Sequence, residues 1–94
     1  QAGRFDKESL EILAAVSRER GFIEDEVAFL REAHSLTDGD PTVAARLARA
    51  LGDLGQVQEA LEILEHARKK HPYAAILESL QEQIRKGAAK SATG

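Results

Sequence analysis

The stretch that decides the fold is residues 51–72, LGDLGQVQEALEILEHARKKHP. Gly55 interrupts it, apolar residues then follow at helical spacing, and a basic run and Pro72 close it. A glycine of this kind ends a helix in a left-handed conformation, and the basic run suits the negative end of the next helix. The pattern fits either a helix-turn-helix that reads DNA or one unit of a repeat, and these predict different functions.

Helical periodicity and end signals predict five helices outward from this stretch. Asp6 and Asp40 are the expected N-caps, and Pro41 stands at a first helical position. Gly21 and Gly55 are the expected stops. The predicted helices cover about residues 7–20, 23–36, 41–54, 57–70 and 72–86.

The C-terminal residues predict an end to the folded part of the chain. Gly87 is expected to stop the fifth helix, and residues 87–94 are small and polar, which predicts a disordered tail. Residues 1–86 are therefore expected to form a single helical domain. The chain contains no methionine, even at position 1, so we expect it to be a processed product or an excised domain of a longer protein.

A period of 34 residues links the two halves of the chain. Gly21 and Gly55 lie 34 positions apart, and four apolar pairs match at the same offset. All five identities involve glycine or an apolar residue, the types that packing constrains, whereas surface positions differ. The four apolar pairs are Leu13 with Leu47, Ala14 with Ala48, Leu30 with Leu64, and Ala33 with Ala67.

Residues 41–74 resemble the tetratricopeptide repeat, with small residues where two helices approach and large residues between them. The matching positions are Leu47, Ala48, Leu51, Gly55, Ala60, Leu64, Ala67 and Pro72. Residues 7–40 resemble the same repeat, but Glu26 replaces the small residue that Ala60 provides, Ser17 replaces a large one, and Asp38 replaces Pro72. The fifth helix resembles the closing helix of the family.

The resemblance implies an all-α fold of five helices, a right-handed superhelical stack of antiparallel helix hairpins. Its units would be a repeat at residues 7–40, a repeat at residues 41–74 and a closing helix at residues 72–86. This interpretation favours the repeat over the DNA-reading motif, because Glu59, Glu62 and Glu65 would face phosphates.

Composition and motifs exclude several classes of function. No stretch approaches the length of an apolar membrane span, and the net charge of −3 does not favour nucleic acid. The chain has no cysteine, and His34, His66 and His71 form no HExxH motif. Residues 38–40 read DGD but lack the rest of a calcium loop. We therefore expect a non-enzyme without metal or cofactor; the compartment stays open.

In the tetratricopeptide family, the first helix of each hairpin lines a concave binding face. Arg46 and Arg49 share one helix face, and Arg18 is expected to join them and grip carboxylates of a protein or peptide. The alternative is that these arginines pair with Glu11, Glu19 and Asp53 as a solvated face. Other positions carried over to this face are Glu8 and Ala15, and the candidate partner-binding residues are Arg18, Arg46, Arg49, Thr42, Ala45, Asp53 and Glu11.

Three functions follow from this surface. The first is a protein-interaction module that binds a peptide or protein segment, with acidic segments favoured by the arginines. The second is self-association through the terminal helices, where exposed apolar residues are expected. The third is an accessory scaffold of a larger enzyme or of a secretion or assembly machine. The apolar residues expected at the ends are Ile76, Leu77, Leu80 and Ile84, or Phe5, Leu10 and Phe22.

Overall fold

The computed structural model describes residues 6–93, and all regular structure in that range is α-helical. This confirms the all-α fold class. Phe5 and the other residues before position 6 lie outside the described range. The five helices are α1 (Lys7–Glu19), α2 (Ile23–Thr37), α3 (Pro41–Asp53), α4 (Val57–Lys70) and α5 (Ala75–Thr93).

Two aspartates begin the first helix of each hairpin, as predicted. The Asp6 carboxylate accepts a hydrogen bond from the backbone N–H of Ser9 at 2.8 Å. Asp40 accepts from the N–H groups of Thr42 at 2.8 Å and Val43 at 3.2 Å, with Pro41 at the first helical position. These bonds satisfy N–H groups that have no partner within the helix.

One glycine forms the turn between the two helices of each hairpin, also as predicted. Gly21 and Gly55 have φ values of +81° and +82°, in the left-handed region that L side chains avoid. The N–H of Phe22 donates to the carbonyl of Ser17 at 2.8 Å, and the N–H of Gln56 donates to that of Leu51 at 2.9 Å. The same turn therefore recurs 34 residues later.

The start of α5 differs from the prediction. We expected Pro72 to open the helix, but residues 71–74 form a turn and the helix begins at Ala75. His71 supplies no side-chain oxygen to cap the helix as Asp6 and Asp40 do. The first residues of α1, α3 and α5 are therefore Lys7, Pro41 and Ala75, at successive intervals of 34 positions.

The end of α5 also differs from the prediction. The helix passes through Gly87 and continues to Thr93, so the predicted stop at Gly87 is wrong. An internal glycine costs a helix only about 1 kcal/mol relative to alanine, and the alanines that follow are strong helix formers. Of the predicted tail at residues 87–94, only position 94 lies outside the described residues.

The core repeats with the same period as the helix ends. Leu30 and Ala33 of α2 are fully buried, as are their counterparts Leu64 and Ala67 of α4. Small side chains alternate with large ones, which lets neighbouring helices approach closely. The small residues on which the repeat interpretation depends, Ala48, Ala60 and Ala67, are all fully buried.

The helices pack in chain order. α1 and α2 form one hairpin and α3 and α4 a second; α2 lies against α3, while α5 lies against α3 and α4. Two of the apolar residues expected at exposed ends, Leu10 and Leu77, are instead fully buried by these contacts. No helix in the described range has both the length and the hydropathy to span a bilayer.

Candidate protein-binding groove

A groove of about 680 Å³ runs across the first helix of each unit. α1, α3 and α5 supply its walls and Glu26 of α2 lies at its edge. The lining residues are Ala15, Arg18 and Glu19 of α1, Glu26 of α2, Thr42, Ala45, Arg46 and Arg49 of α3, and Ile76, Ser79, Leu80 and Gln83 of α5.

The groove contains most of the residues that the sequence predicted for it. Arg18, Thr42, Ala45, Arg46 and Arg49 all line it. Two further predicted residues do not: Glu11 and Asp53 are absent from the lining, but they form ion pairs with the lining residues Arg46 and Arg18, respectively. Glu8, placed on this face by the resemblance, is also absent from the lining.

The α5 wall was missed by the sequence analysis, although the sequence contains its signal. Ile76, Ser79, Leu80 and Gln83 stand 34 positions after Thr42, Ala45, Arg46 and Arg49, respectively. Applying the period a second time would have found them. Ile76, which the sequence predicts as an exposed apolar residue of the terminal helix, is 55% exposed and gives the groove an apolar surface.

Arg18 is committed to contacts within the chain. Its Nε donates to Oε2 of Glu26 at 2.9 Å, and its Nη2 donates to Oδ2 of Asp53 at 2.7 Å. The hydrogen bond to Glu26 is the largest cause that raises the pKa of Arg18 above its ordinary value, with burial opposing it. The Nε and Nη2 groups of Arg18 are therefore occupied before any partner arrives.

Arg46 and Arg49 are less constrained. Nη1 of Arg46 lies 3.6 Å from Oε1 of Glu11, which is an ion pair longer than a hydrogen bond. Arg49 is exposed and forms no ion pair with any described residue. The alternative of internal pairing thus holds for Arg18 and, more loosely, for Arg46, while Arg49 keeps its donors available.

Comparison with known proteins returned no matching family model, no matching curated protein and no matching solved structure. The function is therefore argued from the geometry of the chain itself.

The histidines do not form a second site. The His34 ring on α2 is partly buried, and its Nε2 is buried without a hydrogen-bond partner among the described residues. Burial is the main cause that lowers its pKa, and the positive fields of His66 and Lys70 lower it further. Across residues 6–93, no three His, Asp or Glu side chains come together as metal ligands would.

Proposed function

We propose that this chain is a non-catalytic protein-interaction module that binds an extended peptide or protein segment in the groove of α1, α3 and α5. The observation that carries the proposal is that one groove is lined both by Arg49, whose guanidinium forms no ion pair with a described residue, and by the exposed apolar side chain of Ile76. A partner segment with a carboxylate beside an apolar side chain can bind Arg49 through the carboxylate and pack against Ile76 through the apolar side chain.

The chemistry of the groove fits this class of ligand. A guanidinium can bind a carboxylate through two parallel hydrogen bonds, and Arg49 followed by Arg46 supplies such donors. Leu80 and Ala45 extend the apolar surface beside them. Most lining residues come from three helices of a packed array, so the groove is largely formed before the partner binds, which reduces the ordering cost of association.

We further propose that the chain is a short tetratricopeptide-like array, with its hairpins stacked in a right-handed superhelix. The support is the recurrence of capping aspartates, left-handed glycines, helix starts and buried positions at one period of 34 residues. In such an array the first helices line one continuous face, and all the groove residues except Glu26 lie on those helices.

A selection experiment tests the groove. Peptides selected from a random library against the wild-type chain are expected to be enriched in Asp or Glu next to large apolar residues. Arg49→Glu should weaken their binding by about tenfold or more, because repulsion replaces a charge-assisted contact. Ile76→Ala should also weaken it, through lost apolar contact.

Lys86→Glu is the matched control, because it makes the same charge change at an exposed position of α5 outside the groove. Equal losses in Arg49→Glu and Lys86→Glu would show that net charge and not the groove governs binding. Selected peptides that bind Arg49→Glu and Ile76→Ala as tightly as wild type would rule out the proposed site.

A further inference from the structure

α1 carries a row of four exposed residues at i, i+4 spacing, none of which lines the groove. The row is Glu8, Ile12, Val16 and Arg20, the last being the C-cap residue of the helix. Ile12 is 64% exposed and Val16 is 41% exposed. Along the helix, the row therefore reads acidic, apolar, apolar, basic.

The second hairpin shows that the position of Val16 in this row can be covered by a neighbouring helix. Val16 corresponds by the 34-residue period to Ala50, which is fully buried on α3, the helix against which α2 packs. The counterparts of Glu8 and Ile12, Thr42 and Arg46, line the groove. The turn between α2 and α3 has only three residues, so the two helices run antiparallel. On α1 no helix within residues 6–93 takes the place that α2 takes on α3.

We propose that two copies of this chain associate through α1, antiparallel and related by a two-fold axis. Positions 8 and 20, like positions 12 and 16, lie symmetrically about position 14. An antiparallel pair centred there brings Ile12 of one copy against Val16 of the second, and Glu8 against Arg20. A two-fold interface requires this self-complementarity, because each surface meets its own copy.

Charge supports a second copy as the occupant. Neither Glu8 nor Arg20 forms an ion pair with any described residue. The antiparallel arrangement gives each of them an opposite partner, twice per dimer. It also places the positive end of each helix dipole beside the negative end of the other. A helix of arbitrary sequence would satisfy the apolar centre of the row but not both of its charged ends.

Sedimentation of the full chain tests the association. Two short helices form a small interface, so a monomer–dimer equilibrium is expected between about 10 μM and about 1 mM, the range of weak interfaces. Ile12→Asp should leave only monomer over that range. Ile76→Asp, an equally drastic change at a similarly exposed residue in the groove, should leave the equilibrium unchanged.

A charge exchange tests the register. Glu8→Arg and Arg20→Glu should each raise the dimer dissociation constant by about tenfold, since each places like charges together twice. The double variant Glu8→Arg/Arg20→Glu should return it toward the wild-type value. Both changes oppose the α1 dipole, so the double variant has the weaker helix, and recovery can come only from the restored pairing.

Three results would overturn the proposal. They are a wild-type chain that stays monomeric throughout the range, a dimer that Ile12→Asp leaves intact, and a double charge variant no better than the single ones. Circular dichroism of each variant keeps a loss of folding from being mistaken for a loss of association. None of the four residues of the row lines the groove, so these outcomes do not bear on the groove contacts of Arg49 and Ile76.

Discussion

Arg18 bonds across the first hairpin to Glu26, whose carboxylate lies in the position that Ala60 occupies in the second hairpin. Glu26 is only 2% exposed. A buried carboxylate costs several kcal/mol unless it is paired, and Arg18 is the described residue that pairs it. The first hairpin thus replaces a small apolar contact with an ion pair that also reaches Asp53 of α3.

The ion pair between Arg18 and Glu26 predicts that replacing the arginine destabilises the chain more than replacing the glutamate. Arg18→Ala should lower the free energy of unfolding by about 2–3 kcal/mol, because it leaves Glu26 buried and unpaired. Glu26→Ala should cost about 1 kcal/mol or less, since alanine already fits the equivalent position of the repeat. Urea unfolding of both variants measures the difference.

The double variant Arg18→Ala/Glu26→Ala is the control for that comparison. It should be more stable than Arg18→Ala alone, because removing the carboxylate removes the unpaired charge. A double variant that loses the sum of the two single effects would show that the pair is not coupled.

The turn glycines and the helical glycines predict changes of opposite sign. Gly55→Ala should destabilise the chain by about 1 kcal/mol, because its φ of +82° strains an alanine even though no atom lies within 4 Å of the added Cβ. Thermal unfolding followed by circular dichroism measures the loss.

Gly52→Ala is the matched control three residues earlier. It lies inside α3, and its added Cβ would meet Cγ1 of Ile84 at an ordinary 3.8 Å. Alanine there should stabilise the chain by about 0.5–1 kcal/mol, through higher helix propensity. The same sign of change at Gly52 and Gly55 would contradict the assigned backbone conformations.

Removing the Asp40 cap is predicted to lower stability, and another capping side chain at the same position is predicted to restore most of it. Asp40→Ala should destabilise the chain by about 1 kcal/mol, because the N–H groups of Thr42 and Val43 lose their acceptor. Asp40→Ser keeps a capping oxygen and should retain most of the stability. Chemical denaturation of both variants tests this, and a serine variant as unstable as the alanine variant would argue against capping.

His34 predicts a dependence of stability on pH. Burial, His66 and Lys70 hold its pKa in the folded chain below the ordinary value of 6.5, while Asp38 opposes them. The unfolded chain therefore takes up the proton first, and stability is lost as pH falls through about 6.5. His34→Gln should flatten this part of the stability profile.

The carboxylates act in a lower pH range, which separates the two effects. Hydrogen bonds from Lys70 and Arg31 lower the pKa values of Asp38 and Glu59, respectively. The stability that these carboxylates give the folded chain is therefore lost only as pH falls below their ordinary pKa values of 3.8 and 4.5. Denaturation midpoints measured from pH 8 to pH 5 thus report mainly on histidine. An unchanged profile in His34→Gln would contradict the assignment.

The sequence predicts α4 at its observed bounds and the first residues of α1, α2 and α3 correctly. It does so because caps and turn glycines act within a few residues of the helix end. It failed at the start of α5 because Pro72 was read as a first helical residue without a capping side chain before it. It missed the α5 wall because the period was applied once rather than twice. The groove arginines were found by position, but their ion-pair partners were found only in part.

The sequence by itself determined where helices begin and turn, since Asp40 caps an N–H two residues away and Gly55 needs only its own backbone freedom. It also determined the period that repeats them. Only the tertiary structure decided that Arg18 bonds Glu26 and Asp53 while Arg49 stays available. Those partners lie 8 and 35 residues from Arg18, and distances of that kind are fixed by the packing of helices against one another.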